Sequence, residues 1–310
     1  MKTNDLHIIL HCLPREIDEL ERIVNHLKRS SHFLDSNDEV ILDFTLNLSD
    51  KLTDWETSQL PKEFFADKFD MMEKKCDWTS KNIFEINDGN RCLGINDKRR
   101  NSIRENNPKN FMYLDTDVYF SMFNLSYLFR ALEQIDNEYY VLNSQLLRLW
   151  DESWNMISNE RYIPMGYDSK IWLKYDPFQL DSEVFTYASN INIKQLNGFK
   201  FGGGWFNVFS KKLLKFINIP ESLGSYGLDD TFVMIGANMM KQKGYDVTQY
   251  VLEGTICIEN NKYTLYNYNP YDKFLADKSF EDKGRTFKQG LRKKSNENFE
   301  LELNKFRDRI

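Results

Sequence analysis

The stretch Leu6–Leu13, LHIILHCL, is apolar on successive residues instead of alternate ones, and beyond Pro14 it runs into an acid-rich segment from Glu16 to Val24 with helical spacing. A strand that is apolar on both faces has to be covered on both faces, so this chain needs a sheet layered by helices. The acids Glu16, Asp18 and Glu19 suit the first turn of the helix that follows. The same unit recurs. Glu39–Phe44 follows the polar turn Asp35–Asp38, and Leu60–Cys76 again shows helical spacing. A third unit pairs the charged stretch Asn96–Asn107, with Ile103 on one side, with a turn at Asn107–Asn110 and the apolar strand Phe111–Leu114. Alternating strand and helix predicts an α/β fold around a central sheet.

The pattern weakens after residue 120. Residues 121–200 are aromatic with short polar breaks and show no usable period. Order returns with the glycine loop and strand Phe201–Ser210, a helix from Lys211 to Phe216, and Tyr226–Asp230 opening a helix to about Lys243. The tail from Tyr271 is charged, with six basic residues and no acid between Lys283 and Lys294. It reads as a solvated helix docked through Phe287 and Leu291, which are four residues apart. The expected division is a core domain over 1–265, in halves of about 1–120 and 121–265, and a helical extension over 266–310.

Composition removes several functions. The net charge of −6 is spread along the chain and gives no general grip on nucleic acid or an anionic membrane. Cys12, Cys76, Cys92 and Cys257 are widely spaced without a CxxC pair, so reduced thiols and a cytoplasmic location are expected. The N-terminal apolar run is broken by His7 and His11, unlike a signal peptide, and no stretch is long and apolar enough to span a bilayer.

Chemistry concentrates at Asp115-Thr116-Asp117, immediately after the Phe111–Leu114 strand. In open α/β sheets ligands collect at the carboxyl ends of strands. Two carboxylates one residue apart suit a hard divalent cation, Mg2+ or Mn2+, which shares its remaining positions with water and phosphate oxygens. A solvated turn is the other reading of Asp-x-Asp. The apolar residues on both sides, FMYL before and Val118-Tyr119-Phe120 after, favour the metal.

Lys98-Arg99-Arg100-Asn101-Ser102-Ile103, a turn, and then FMYLDTD resemble the donor-site segment of GT-A glycosyltransferases. Gly202-Gly203-Gly204-Trp205, followed some twenty residues later by Tyr226-Gly227-Leu228-Asp229-Asp230, is similar to the acceptor-side glycine loop and acidic helix start of inverting members. The resemblance covers about residues 6–260. It implies a GT-A, Rossmann-like mixed sheet flanked by helices, and transfer of a sugar from a nucleotide-diphosphate donor, UDP-sugars first. By resemblance Asp115 lies near ribose and metal, Asp117 binds the metal, and Arg99 or Arg100 lies near the diphosphate, with Arg100 the closer match. Gly203, Gly204 and Trp205 line the donor, although Trp205 reads equally well as core. Asp229, with Asp230 close behind, takes the acceptor proton. Pro14 and Asp43 correspond to nucleotide contacts.

One departure stands out: many GT-A enzymes supply a late histidine to the metal, and all four histidines here lie within residues 7–32. Glu259 or Asn260 would substitute with oxygen. The acceptor stays open among glycan, lipid-linked sugar, protein and modified nucleic acid. A retaining glycosyltransferase, a nucleotidyltransferase and a non-catalytic glycan- or nucleic-acid-binding module are the alternatives.

Overall fold

The computed structural model describes residues 4–52, 57, 59–89, 93–149, 192–199, 204–260 and 278–310. The N-terminal half reads β1 (Asn4–Cys12), α1 (Ile17–Ser31), β2 (Asp38–Asn47), α2 (Lys62–Lys74), β3 (Lys81–Asn87), α3 (Ile95–Glu105) and β4 (Asn110–Leu114). After it come β5 (Val118–Phe120), α4 (Asn124–Glu133), β6 (Tyr139–Leu149), β7 (Asn192–Gln195), β8 (Phe206–Ser210), α5 (Lys211–Ile217), α6 (Asp229–Gln242), β9 (Val247–Asn260) and α7 (Lys278–Arg309).

All the described strands join one mixed sheet, in the order β3-β2-β1-β4-β8-β6-β9-β5, with β7 on β9. The strands from β3 to β4 are parallel, and β8 then runs antiparallel to β4. This is the mixed α/β sheet flanked by helices, with a C-terminal helix, that the sequence implies. The expected strands and helices overlap observed ones, although Leu60–Cys76 and Asn96–Asn107 run about two residues past the ends of α2 and α3. Within 121–200 the described residues form α4, β6 and β7, and 150–191 lie outside them.

Side-chain alternation along β1 builds two cores. Leu6, Ile8, Leu10 and Cys12 face one way, into a cluster with Leu20, Ile23 and Val24 of α1, Phe65 and Phe69 of α2, and Leu128 of α4. Ile9 faces the other way and joins Ile103 of α3, Phe111 and Tyr113 of β4, Phe209 of β8, and residues of α5, α6 and α7. Each fully buried aliphatic or phenyl side chain contributes about 1.5–3 kcal/mol through removal from water.

This layering fixes where a ligand can bind. The chain advances from β1 to β2 to β3 with α1 and α2 on one face, then returns through α3 on the opposite face to lay β4 on the far side of β1. Between β1 and β4 the connections leave to opposite faces, which is where open α/β sheets place a ligand crevice, at the carboxyl ends of the strands. Its rims are the Leu13–Glu16 turn and Asp115–Asp117.

The C-terminal helix belongs to the second core. Leu303 and Phe306 are buried there, and Phe232 of α6 lies 6.2 Å, centroid to centroid, from both Phe299 and Phe306. The side chains of Phe287 and Leu291, expected to dock the helix, lie outside the described residues. Phe232 is 1% exposed, so Phe232→Ala is expected to cost about 3 kcal/mol. Urea unfolding followed by circular dichroism should show a lower midpoint in a single transition. An unchanged midpoint would mean that α7 does not share the core.

Candidate active site

Asp115 directly follows β4, and its backbone N–H donates to the carbonyl of Trp205 at 3.1 Å. This bond continues the β4–β8 pairing, Leu114 opposite Phe206, and lays Trp205, at the end of the glycine loop, beside the Asp-x-Asp segment. Thr116 is buried, whereas Asp115 and Asp117 are half-buried. From α1, Arg22 donates to the carbonyls of Thr116 at 3.0 Å and Val118 at 3.1 Å. The same guanidinium bonds Glu19 at 2.6 Å and lies 3.7 Å over the Tyr119 ring. Burial works against its charge, but Tyr119, Glu19 and Asp117 outweigh that effect. Arg22 thus fixes the backbone that carries the acids. It was missed in the sequence because a Glu19–Arg22 pair on a helix reads as an ordinary surface ion pair.

Arg99 on α3 draws the remaining segments together. It is 2% exposed and donates to Asp229 at 2.6 Å, to Asp115 at 2.9 Å and to the Gly204 carbonyl at 2.8 Å. Its guanidinium lies 4.2 Å from the centre of the Tyr113 ring. Burial disfavours the charge, yet Asp229 and Asp115 hold its pKa above the ordinary arginine value. A Cβ at 204 would stand 2.3 Å from Nη1 of Arg99, so any other residue there displaces the guanidinium from its partners.

The two acids that open α6 have different surroundings. Asp229 is 4% exposed and ion-paired with Arg99. Asp230 accepts from the Gly204 N–H at 2.9 Å and from the N–H and hydroxyl of Thr231 at 2.6 and 3.2 Å. Its carboxyl is pushed above the usual carboxylate range, first by burial and then by the neighbouring Asp229. Just before them Leu228 has φ of 62°, a left-handed conformation that costs a non-glycine residue about 1 kcal/mol or more.

Two expectations need correction. Arg100 faces away from Asp115: it donates to the carbonyls of Ile219, Pro220 and Gly224 and pairs with Asp97 at 2.9 Å. Adjacent helical positions point about 100° apart, so when Arg99 faces the site Arg100 cannot. Asp43 does not end its strand, because β2 continues to Asn47. It is 2% exposed, with its oxygens bonded to Nε2 of His7 at 2.8 Å, to Ser102 at 2.5 Å and to Lys98. The residue at the carboxyl end of β2 is Asn47, which bonds the carbonyl of Leu93 at 2.8 Å and the amide of Asn87 at 2.9 Å.

Pro14 starts the buried turn after β1. Trp205 is partly buried against the α1–α2–α4 core. Gly203 and the side chain of Glu259 lie outside the described residues, although the backbone of Glu259 pairs with Val118, next to Asp117. Among the described residues no group of three or more His, Cys, Asp or Glu side chains converges as a metal site. A magnesium or manganese ion bound together with a diphosphate needs only one or two carboxylates, so the oxygen donors Asp115 and Asp117 fit that mode of binding and not a closed protein cage.

No protein-family model matches the chain, and no curated protein matches its sequence. Solved structures that match include S. aureus TarS 1–349, at 12% identity over 85% of this chain and 62% of that one, with a TM-score of 0.47. TarS 1–349 in complex with UDP-GlcNAc matches at 13% identity over 83% and 58%, with a TM-score of 0.47. Mannosyltransferase PcManGT from Pyrobaculum calidifontis, in complex with GDP-Man and Mn2+, matches at 11% identity over 82% and 56%, with a TM-score of 0.44. The chain spans less than two thirds of the length of each of these structures.

The Asp43 network carries a pH signature. Burial raises its pKa, but the His7 bond, Lys98 and Ser102 outweigh this and hold it below its ordinary 3.8. A lowered folded-state pKa gives stability that is complete above the ordinary value and is lost as pH falls through the folded one. Asp43→Asn, which leaves the buried Lys98 with only the more distant Glu85 carboxylate at 3.4 Å, is expected to cost about 3 kcal/mol at neutral pH. The gap between mutant and wild type in urea midpoint should narrow below about pH 4. A gap independent of pH would contradict the assignment.

Proposed function

We propose that the protein transfers a sugar from a nucleotide-diphosphate donor, UDP-sugars first, to an acceptor hydroxyl, with inversion at the anomeric carbon. The observation that carries this reading is the reach of Arg99. One buried guanidinium joins the Asp-x-Asp segment, the glycine loop and the acidic helix start at the sheet's switch-point crevice. Nucleotidyl transfer would use the paired acids but has no need of the second and third segments.

In this reading Asp230, not Asp229, is the base. Asp229 is committed to Arg99, whereas Asp230 has a raised pKa, closer to the neutral range in which a general base works best. The acceptor oxygen attacks the anomeric carbon as the bond from that carbon to the diphosphate oxygen breaks. The bonding electrons leave with the nucleoside diphosphate, and the hydroxyl proton passes to the Asp230 carboxylate. Asp229, through Arg99, holds the glycine loop and Asp115 in register during the displacement. A divalent ion held by Asp117 and Asp115, when bound, supplies charge neutralisation for the leaving diphosphate.

The test is release of nucleotide from a panel of nucleotide-sugars, with manganese or with EDTA, for wild type, Asp117→Ala and Asp230→Asn. One donor should be hydrolysed slowly by wild type with manganese, and Asp117→Ala should abolish this release. Once an acceptor is found, Asp230→Asn should lower transfer about a hundredfold or more while thermal stabilisation by the nucleoside diphosphate persists. The rate should rise with pH through a value above the ordinary carboxylate range, because the base acts deprotonated. No release from any donor and no nucleotide-induced stabilisation would overturn the reading in favour of a binding module.

A further inference from the structure

The basic stretch that ends at Lys294 has no role in the reaction so far, yet the helix that carries it lies against the site. Ser295 of α7 is fully buried, and its hydroxyl lies 2.5 Å from the Leu223 carbonyl and 2.6 Å from the Tyr226 carbonyl. Asn298 donates to the Ser222 carbonyl at 3.0 Å. The helix is therefore fastened along the loop that leads into Asp229 and Asp230.

Arg292 precedes Ser295 by three residues and shares its helix face. Its stem lies over Gly227: a Cβ on that glycine would stand 3.1 Å from Cγ of Arg292 and 3.4 Å from its Nε. Gly227 has φ of +85°, so the left-handed turn that opens α6 also leaves the seat for this arginine. Tyr226, next to that seat, has its hydroxyl pushed up to about 12 by burial and then by Glu16, with Asp115 adding to the rise and Arg292 opposing it. Arg292 and Asp115 thus act with opposite sign on the same phenol.

Four other arginines lie around the crevice: Arg99 is engaged by two carboxylates and a carbonyl, Arg100 by three carbonyls and Asp97, and Arg22 by Glu19 and two carbonyls, while Arg15 is buried in the turn after β1, 3.8 Å from the Glu16 carboxylate. Arg292 is exposed and, among the described residues, has no ion-pair partner. A diphosphate entering a site lined by Asp115, Asp117, Asp229 and Asp230 needs positive charge, and a guanidinium fork matches phosphate oxygens in geometry.

We propose that Arg292 is a donor-binding residue that grips the diphosphate of the nucleotide-sugar, reaching the site from the C-terminal helix. The inference rests on the transferase reading above. It is tested by calorimetric titration of the full chain with UDP and with GDP, in manganese at low salt. The variants are Arg292→Gln, which keeps a stem over Gly227 without the charge, Arg292→Lys, and Lys293→Ala as the control on the adjacent position.

The expected result is binding about tenfold weaker in Arg292→Gln, intermediate in Arg292→Lys and unchanged in Lys293→Ala, with melting temperatures close to wild type. The KM for donor hydrolysis should rise in Arg292→Gln while kcat changes little. Wild-type affinity in Arg292→Gln would overturn the Arg292 assignment and leave the transferase reading intact. Equal weakening in Arg292→Gln and Lys293→Ala would reduce it to the general field of the helix and overturn it as well. A wild type that binds neither diphosphate would overturn both inferences.

Discussion

The structure around the crevice depends on one buried charge. Arg99 is almost wholly out of water, and a guanidinium there persists only because Asp229, Asp115 and the Gly204 carbonyl meet it within hydrogen-bonding distance. Removing both acids would leave an uncompensated cation in the interior, and breaking a buried ion pair by deleting one partner commonly destabilises by about 3–5 kcal/mol. The glycine at 204, the rotation of α3 that turns Arg100 elsewhere, and the burial of Asp229 all follow from keeping that cation satisfied. Stability and site geometry are therefore the same problem at this position. A substitution at Arg99 would confound the two.

Sequence patterning reached the N-terminal half because its strands are buried on both faces and its helices are amphipathic, and both features leave local periods. The end of β4 and the start of α6 were legible for the same reason: each acid pair borders a strong apolar or helical segment. Where periodicity fails, as over 121–200, sequence gave only aromatic content.

The errors at Asp43 and Arg100 share a cause. Local sequence reports that a charged residue lies near a strand end or on a helix, but not which way it faces or what satisfies it. The partners of Asp43 are His7, Lys98 and Ser102, and those of Arg100 are the carbonyls of Ile219, Pro220 and Gly224. In both cases most partners lie tens of residues away, so no window of sequence contains the information. Arg22 was overlooked for the complementary reason, since its visible partner, Glu19, is local and its decisive ones, the Thr116 and Val118 carbonyls, are remote.

The bond from Arg99 to Asp229 spans 130 residues of chain. Closing a loop of that length carries an entropic cost that only a largely completed sheet can offset, whereas β1, α1 and β2 can associate through near neighbours. The N-terminal layers rest on contacts closer in sequence, whereas the Arg99 contacts to Gly204 and Asp229 require β8 to pair with β4. The contacts that make the site are the long-range ones, so the site is complete only in a chain whose two halves of the sheet are paired.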